Sequence, residues 1–256
     1  MEAIRVIFLG AIQGLTEFIP VSSTAHLFLI RDFFNWPDLG LSFDMSLHLG
    51  TLLALIIYMW RDWYNFLTKR RDLLFFVIIA TIPGGIVGFL LENAAEIYFR
   101  SPLIIAITLS LFGIILLLVD RWSKHNISME NMGIKEALVI GLSQILAVIP
   151  GVSRSGATLT GAFLCNLKRE DGARFSFLLS LPIILGAGGL SFLKLLKGPE
   201  AIPVNTIIIG ILFSFLFGYL AIHFMLTYLK KHNSNIFTYY RLTLSFIIII
   251  FLLNRR

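Results

Sequence analysis

Apolar positions run almost without interruption along this chain, and the few polar breaks are what give it shape. Six apolar runs, at about 43–60, 73–91, 101–119, 175–193, 204–229 and 240–253, fit a bilayer-spanning helix of roughly 20 residues. Two more apolar regions, at about 3–35 and 133–167, are interrupted midway. The first breaks at Ile19-Pro20-Val21-Ser22-Ser23-Thr24 and the second at Ile149-Pro150-Gly151-Val152-Ser153-Arg154-Ser155-Gly156. A continuous span does not use such residues, so each region is expected to be a re-entrant helix–loop–helix hairpin. Irregular backbone at membrane depth survives only where protein or a water-filled cavity surrounds it. The pattern predicts an all-α polytopic membrane protein with six transmembrane helices and two re-entrant hairpins.

The order of elements repeats. Pro20 matches Pro150, Ser46 matches Ser176 and Gly88 matches Gly218, and upstream Gln13 matches Gln144 after a one-residue gap. Thr108-Leu109-Ser110 likewise matches Thr243-Leu244-Ser245. The whole chain reads as one integral membrane domain built from two repeats, about 1–125 and 131–256. One hairpin and three crossings per repeat make the second copy inverted relative to the first. Inverted repeats with broken helices place a polar site near the membrane midplane, at the repeat interface.

Composition narrows the class further. Of 256 residues, 57% are apolar and 14% charged, and the mean hydropathy is +0.85. Soluble domains run at about 45–50% apolar and about 25% charged, so a cytosolic enzyme, a disordered protein and a secreted disulfide scaffold are excluded. The net charge of +6 is scattered between apolar runs rather than gathered in a basic, aromatic-laced patch, so no nucleic-acid partner is expected. The lone Cys165 allows no internal disulfide. The N-terminus lacks the cationic start of a cleavable signal and is expected to be retained.

Counting Lys and Arg by side gives the orientation. The side holding the N-terminus collects Arg5, Arg31, Arg100, Lys194, Lys197, Arg255 and Arg256. The other collects twelve: Arg61, Lys69, Arg70, Arg71, Arg121, Lys124, Lys135, Lys168, Arg169, Lys230, Lys231 and Arg241. By the positive-inside rule the second side is cytoplasmic and both termini face outward.

Ionisable groups at membrane depth are expensive and mark function by default. Glu17 lies in the apolar run before Pro20, one helical turn after Gln13, so the two side chains share a face. A carboxylate there suits a divalent cation, a proton or a cationic partner. His26, beside Ser22, Ser23 and Thr24, has the options of general acid, general base or nucleophile. Ser22 and Ser23 also suit helix capping. In the second break, small residues let backbone N–H groups approach an anion, and Arg154 adds a planar fork matched to two phosphate oxygens. An ion pair between Arg154 and Glu17 across the repeat axis is an alternative that a substrate or cation can split. His48 and Arg174 are expected to line the cavity, with snorkelling to the membrane interface as the alternative for Arg174. Asp44 is expected to be an interfacial charge, and Tyr239-Tyr240 part of an aromatic belt.

Residues 13–26, QGLTEFIPVSSTAH, and 150–158, PGVSRSGAT, resemble the two signature segments of the bacterial undecaprenyl-diphosphate phosphatase (bacitracin-resistance) family. The stretch from Phe43 to Gly50 resembles a further family segment, and the similarity covers essentially the whole chain. Gln13 stands where many members carry glutamate, and Ala25 where many carry glycine. The resemblance implies an enzyme that removes the terminal phosphate of undecaprenyl diphosphate and returns the lipid carrier used for peptidoglycan. It implies a bacterial cytoplasmic membrane protein with a site open to the outer face, a divalent cation (Mg²⁺ or Ca²⁺), membrane lipid as surroundings and a homodimer. By position it implies Glu17, Ser23, His26 and Arg154 as the catalytic set. Ser22, Thr24, Gly151, Ser153, Ser155 and Thr158 would hold substrate, and Glu17 with Gln13 the metal. Ser23 and His26 both remain candidates for the attacking group.

Architecture alone also fits a polyprenyl-phosphate transporter; the Glu-Ser-His-plus-Arg set asks for chemistry that transport does not need. An acid-phosphatase type of lipid phosphatase wants histidine six residues after the arginine and aspartate four further on. Those positions are Thr160 and Leu164, and that alternative fails.

Overall fold

In a computed structural model the backbone is described for residues 2–98, 101–197 and 202–254, with side chains over the same stretches except 2, 41–42, 92–98 and 187–197. Arg100, Arg255 and Arg256, and the side chains of Lys194 and Lys197, therefore lie outside the described residues.

Eleven α-helices and no strand are found among the described residues. The first interrupted region folds as α1 (Glu2–Phe18) and α2 (Ser23–Phe34), the second as α7 (Ile134–Gln144) and α8 (Arg154–Leu164). Each pair packs on itself as a hairpin. Between them run α3 (Leu41–Tyr58), α4 (Trp60–Thr68), α5 (Arg71–Tyr98) and α6 (Pro102–Trp122). After them come α9 (Arg169–Lys197), α10 (Val204–Leu229) and α11 (Asn235–Asn254). Parts of α5, α6, α10 and α11 are long and apolar enough to cross a membrane. Only 17% of the apolar window of α5 is buried, and Phe75, Ile78, Ile82, Ile86 and Phe89 face outward. A soluble protein does not display such a surface; lipid covers it. The protein is an all-α polytopic membrane protein.

Three expectations need adjusting. The run at 43–60 bends by 65° at Met59 between α3 and α4, with neither Pro nor Gly to announce it. The last helix begins at Asn235, five residues ahead of the expected start. The third concerns register. Ser22 (φ 73°) and Ser153 (φ 72°) both adopt a left-handed backbone and cap the helix that follows, accepting from Ala25 N and Gly156 N. Between proline and capping serine the first loop has one residue, Val21, and the second has two, Gly151 and Val152, with Gly151 at φ +90°.

The helices pair reciprocally. α1 lies on α10 as α7 lies on α5, α3 packs on α10 as α9 does on α5, α6 pairs with α11, and α3 with α9. Small residues bring α1 against α10: a Cβ on Gly10 would sit 2.7 Å from the Gly210 carbonyl oxygen, and one on Gly14 2.5 Å from that of Ser214. Without a hydrophobic force between helices in lipid, such close backbone approach supplies the packing energy. The main core joins Phe18, Leu55, Phe177, Leu178 and Ile222, with Phe18 edge-on to Phe177 at 5.2 Å.

Two arginines counted as topology signals are buried inside. Arg31 is 6% exposed and pairs with Asp44, which is itself buried rather than interfacial, and with Asp38 at 3.2 Å. Arg241 is fully buried.

Candidate active site

The two hairpins meet at one carboxylate. Glu17, near the end of α1 and 6% exposed, accepts from Ser23 Oγ (2.7 Å) and Gln13 Nε2 (3.0 Å) on Oε2, and from Arg154 Nη2 (2.8 Å) on Oε1. Each neighbour is where it is for a local reason. Gln13 is one helical turn below Glu17 on α1. Ser23 and Arg154 are the first residues of α2 and α8, delivered by the capped turns at Ser22 and Ser153. His48, from α3, adds its ring at 3.1 Å from Gln13 Nε2 and 3.6 Å from Glu17 Oε2. Glu17 thus has one formal cation and two neutral donors, in a place shielded from water.

Two polar atoms here are buried without a partner: Gln13 Oε1, an acceptor, and Arg154 Nη1, a donor. A buried donor or acceptor left unpaired costs about 1–3 kcal/mol. One unmet acceptor beside a carboxylate and one unmet guanidinium N–H fit a cation and a phosphate oxygen. The amides of the first turns of α2 and α8 have no intrahelical partners except where the serines cap them. Both helix starts lie within side-chain reach of Glu17, so both favour an anion there.

The remaining expected residues are placed as follows. Ser22 and Ser153 spend their hydroxyls on caps, at 3.4 and 3.2 Å. Ser155 bonds Ser153 Oγ (3.1 Å) and donates to the carbonyl of Ile19 (3.2 Å), which stitches the second loop to the first. Thr158 is fully buried, donating to the Arg154 carbonyl (2.9 Å) and bonded to Ser176 Oγ (2.5 Å). Thr24 is exposed on the rim of α2. Gly151 offers its carbonyl to Arg241. A Cβ at Gly151 would collide with Thr108 Oγ1. His26 is 6% exposed and holds Ser22 O through Nδ1 (2.7 Å) and Tyr240 Oη through Nε2 (2.7 Å).

Arg174 is not brought in. It donates to Asp62 at 2.7 Å, with Glu170 at 3.6 Å, because α9 carries it to the α4 end of the bundle. His48 does reach the site. Two residues that sequence reasoning assigned elsewhere belong here. Tyr240 is a partner of His26 rather than a member of a belt. Arg241 donates to the carbonyls of Pro20 (3.2 Å), Gly151 (3.0 Å) and Val152 (3.1 Å), and so ties both loops together. The signal for Arg241 was a charge inside the apolar run at 240–253, with no acidic residue on α11 to pair with.

Among the described residues no three His, Cys, Asp or Glu side chains converge as a metal cage. A hard cation such as Mg²⁺ does not need one. It takes one or two carboxylates together with waters and substrate phosphate oxygens. Glu17 and the unpartnered Gln13 Oε1 fit that demand.

Comparison with known proteins agrees with the geometry. The chain is 45% identical to an undecaprenyl-diphosphatase of Caldicellulosiruptor bescii, over all of this chain and 99% of that one. It is 44% identical to one of Moorella thermoacetica, over the full length of both. It is 43% identical to one of Thermodesulfovibrio yellowstonii, over 98% of this chain and 97% of the relative. A family model described as bacitracin resistance protein BacA matches residues 6–247. With that match over nearly the whole chain, the protein belongs to the BacA family.

Proposed function

We propose that this protein hydrolyses undecaprenyl diphosphate to undecaprenyl phosphate and inorganic phosphate, returning the lipid carrier for envelope polymer synthesis. Bacitracin resistance follows from removal of the diphosphate form. The observation that carries the reading is the meeting of Ser23 from one hairpin and Arg154 from the other on the single carboxylate of Glu17. A nucleophile bonded to a base, beside a phosphate-matched fork, is the minimal kit for phosphoryl transfer, which is mostly positioning and charge stabilisation.

The terminal phosphate enters between the starts of α2 and α8. Arg154 offers it Nη1 first and then swings its fork from Glu17 onto two phosphate oxygens. Glu17, released from the ion pair, accepts the Ser23 proton, whose hydroxyl already points at Oε2. Ser23 Oγ forms a bond to the terminal phosphorus as the bridging P–O bond breaks, and undecaprenyl phosphate leaves with the electron pair. Water then bonds to the phosphorus as the Ser23 Oγ–P bond breaks, Glu17 returns its proton to Ser23 Oγ, and inorganic phosphate departs carrying both protons of the water. Ser23 rather than His26 is favoured as attacker because its hydroxyl is bonded to a carboxylate, whereas both nitrogens of His26 are engaged elsewhere. When bound, a divalent cation held by Glu17 and Gln13 Oε1 neutralises charge on the diphosphate.

The two halves, about 1–125 and 131–256, are inverted copies in this reading, supported by the reciprocal helix pairing and the matched caps. The site opens to the outer face of the bacterial cytoplasmic membrane. Removing buried Arg31 and Arg241 from the charge count leaves the cytoplasmic bias in place.

Phosphate release from undecaprenyl diphosphate by detergent-purified protein tests this. Wild type, Glu17→Ala and Arg154→Ala are compared with Mg²⁺ or Ca²⁺ and with a chelator. Cation-dependent release by wild type, lost in both variants, is expected. Absence of release from folded wild type sinks the phosphatase reading and turns attention to lipid-phosphate transport.

A further inference from the structure

The ring of His26 is held at both ends, and the two holders differ in what they allow. The Ser22 carbonyl can only accept, so Nδ1 carries a proton and donates to it at 2.7 Å. Neutral His26 then presents a lone pair at Nε2, and the Tyr240 hydroxyl donates to it at 2.7 Å. The two ring planes are nearly parallel, 9° apart, with centroids 5.6 Å apart. The 2.7 Å contact joins Nε2 to the phenolic oxygen, so a hydrogen bond ties the two rings together.

Tyr240 cannot drift from this position. Its neighbour Arg241 is fully buried and donates to carbonyls of α6 (Leu109, 2.9 Å) and of both hairpin loops. The start of α11 is thereby fixed to the same two loops that deliver Ser23 and Arg154. His26 lies three residues after Ser23 on α2, so the two share a helix face.

We propose that Tyr240 is a positioning residue of the hydrolytic site. Its hydroxyl fixes the ring plane and the tautomer of His26, so that Nε2 is the nitrogen able to take a proton beside a phosphate held at Ser23 once the tyrosine hydroxyl turns away. The inference rests on the phosphatase reading above, in which His26 belongs to the site.

Tyr240→Phe removes the hydroxyl and keeps the ring, at a position 47% exposed where the loss leaves no buried orphan outside His26. The expected result is about a tenfold fall in kcat with KM for undecaprenyl diphosphate unchanged, the size typical of a weakened acid–base group. The unfolding midpoint falls by only a few degrees, the cost of one unfilled acceptor on buried His26. In protein labelled with ¹⁵N-histidine, the His26 resonances, identified by their loss in His26→Gln, shift when the hydroxyl is removed. On the His26→Gln background, Tyr240→Phe brings no further loss, because the tyrosine acts through the histidine.

Wild-type kcat together with unmoved His26 resonances overturns the proposal, as does an equal loss with and without His26. Full turnover by His26→Gln removes His26 from the site and with it the role given to Tyr240. No phosphate release by the wild-type protein is a failure of the phosphatase reading instead, and the resonance shift then tests the Tyr240–His26 bond without turnover.

Discussion

Ser23 and Arg154 are the first helical residues after Ser22 and Ser153, and each donates to a different oxygen of Glu17, at 2.7 and 2.8 Å. Two hairpins of matched shape thus present different chemistry from the same position, a hydroxyl from one and a guanidinium from the other. The preceding serines carry positive φ, a conformation that costs a non-glycine residue about 1–3 kcal/mol and clusters at functional sites. That strain aims Ser23 and Arg154 at the shared carboxylate.

Arg154→Lys is expected to lower kcat by about a hundredfold, the scale of losing a donor to developing charge. The ammonium can keep the ion pair with Glu17 but cannot reproduce the fork whose Nη1 is unpartnered in the free protein. Steady-state kinetics with cation saturating reads this directly. Near-normal turnover would count against a two-oxygen clamp on phosphate.

Gln13→Glu is expected to keep activity and to lower the Mg²⁺ concentration needed for half-maximal rate. The substitution replaces a buried, unpartnered amide oxygen beside Glu17 with a carboxylate, giving a hard cation the second charged ligand it prefers. It also removes the amide that donates to Glu17, so the cation-free variant should melt at lower temperature and recover with Mg²⁺. Titration of rate and melting point against Mg²⁺ checks both. A folded variant with no activity at any Mg²⁺ concentration would place the metal elsewhere.

The hairpins and the Glu17–Arg154 meeting were legible in sequence because Pro, Gly and Ser interrupt apolar runs at membrane depth, and because charges there have few excuses. Tyr240, Arg241 and Arg31 were misread for a common reason. Rules for aromatic belts and positive-inside topology sort residues by distance from the end of an apolar run, and all three lie near such an end. Only the packed fold shows that Arg241 faces carbonyls of both loops and that Arg31 faces Asp44. The bend at Met59 was invisible because no residue there breaks a helix; tertiary packing sets it, with Met59 fully buried against the main core.

Gly151→Ala is expected to destabilise the protein by about 1–3 kcal/mol and to lower turnover with it. The backbone at φ +90° is one that an L side chain rarely adopts, and the added methyl would collide with the Thr108 hydroxyl, which bonds the Pro150 carbonyl at 2.7 Å. The clash falls at the turn that delivers Arg154, so kcat should drop more than KM rises. Thermal unfolding and kinetics measured on one preparation separate the two effects. An unchanged melting point with normal kcat would mean that the loop accommodates the methyl.

His125, in the connection between the two halves, should make stability depend on pH. Burial pulls its pKa down, but Asp120 and the carbonyls of Asp120 and Leu167 outweigh that, and the net effect raises it above 6.5. The geometry gives the reason: Nδ1 faces the Leu167 carbonyl and Nε2 faces Asp120, both at 2.9 Å, so both nitrogens must donate and the ring is best held as the imidazolium. A folded pKa above the unfolded one means that the contribution is fully present below about 6.5 and is lost as pH rises through the folded value. The melting point of wild type should therefore fall over that rise, while His125→Gln, which titrates nothing there, should start lower and lose less. Melting curves between about pH 5.5 and 8.5, the window a raised histidine pKa opens, read the difference. Parallel pH dependence in the two proteins would place the proton linkage on another group.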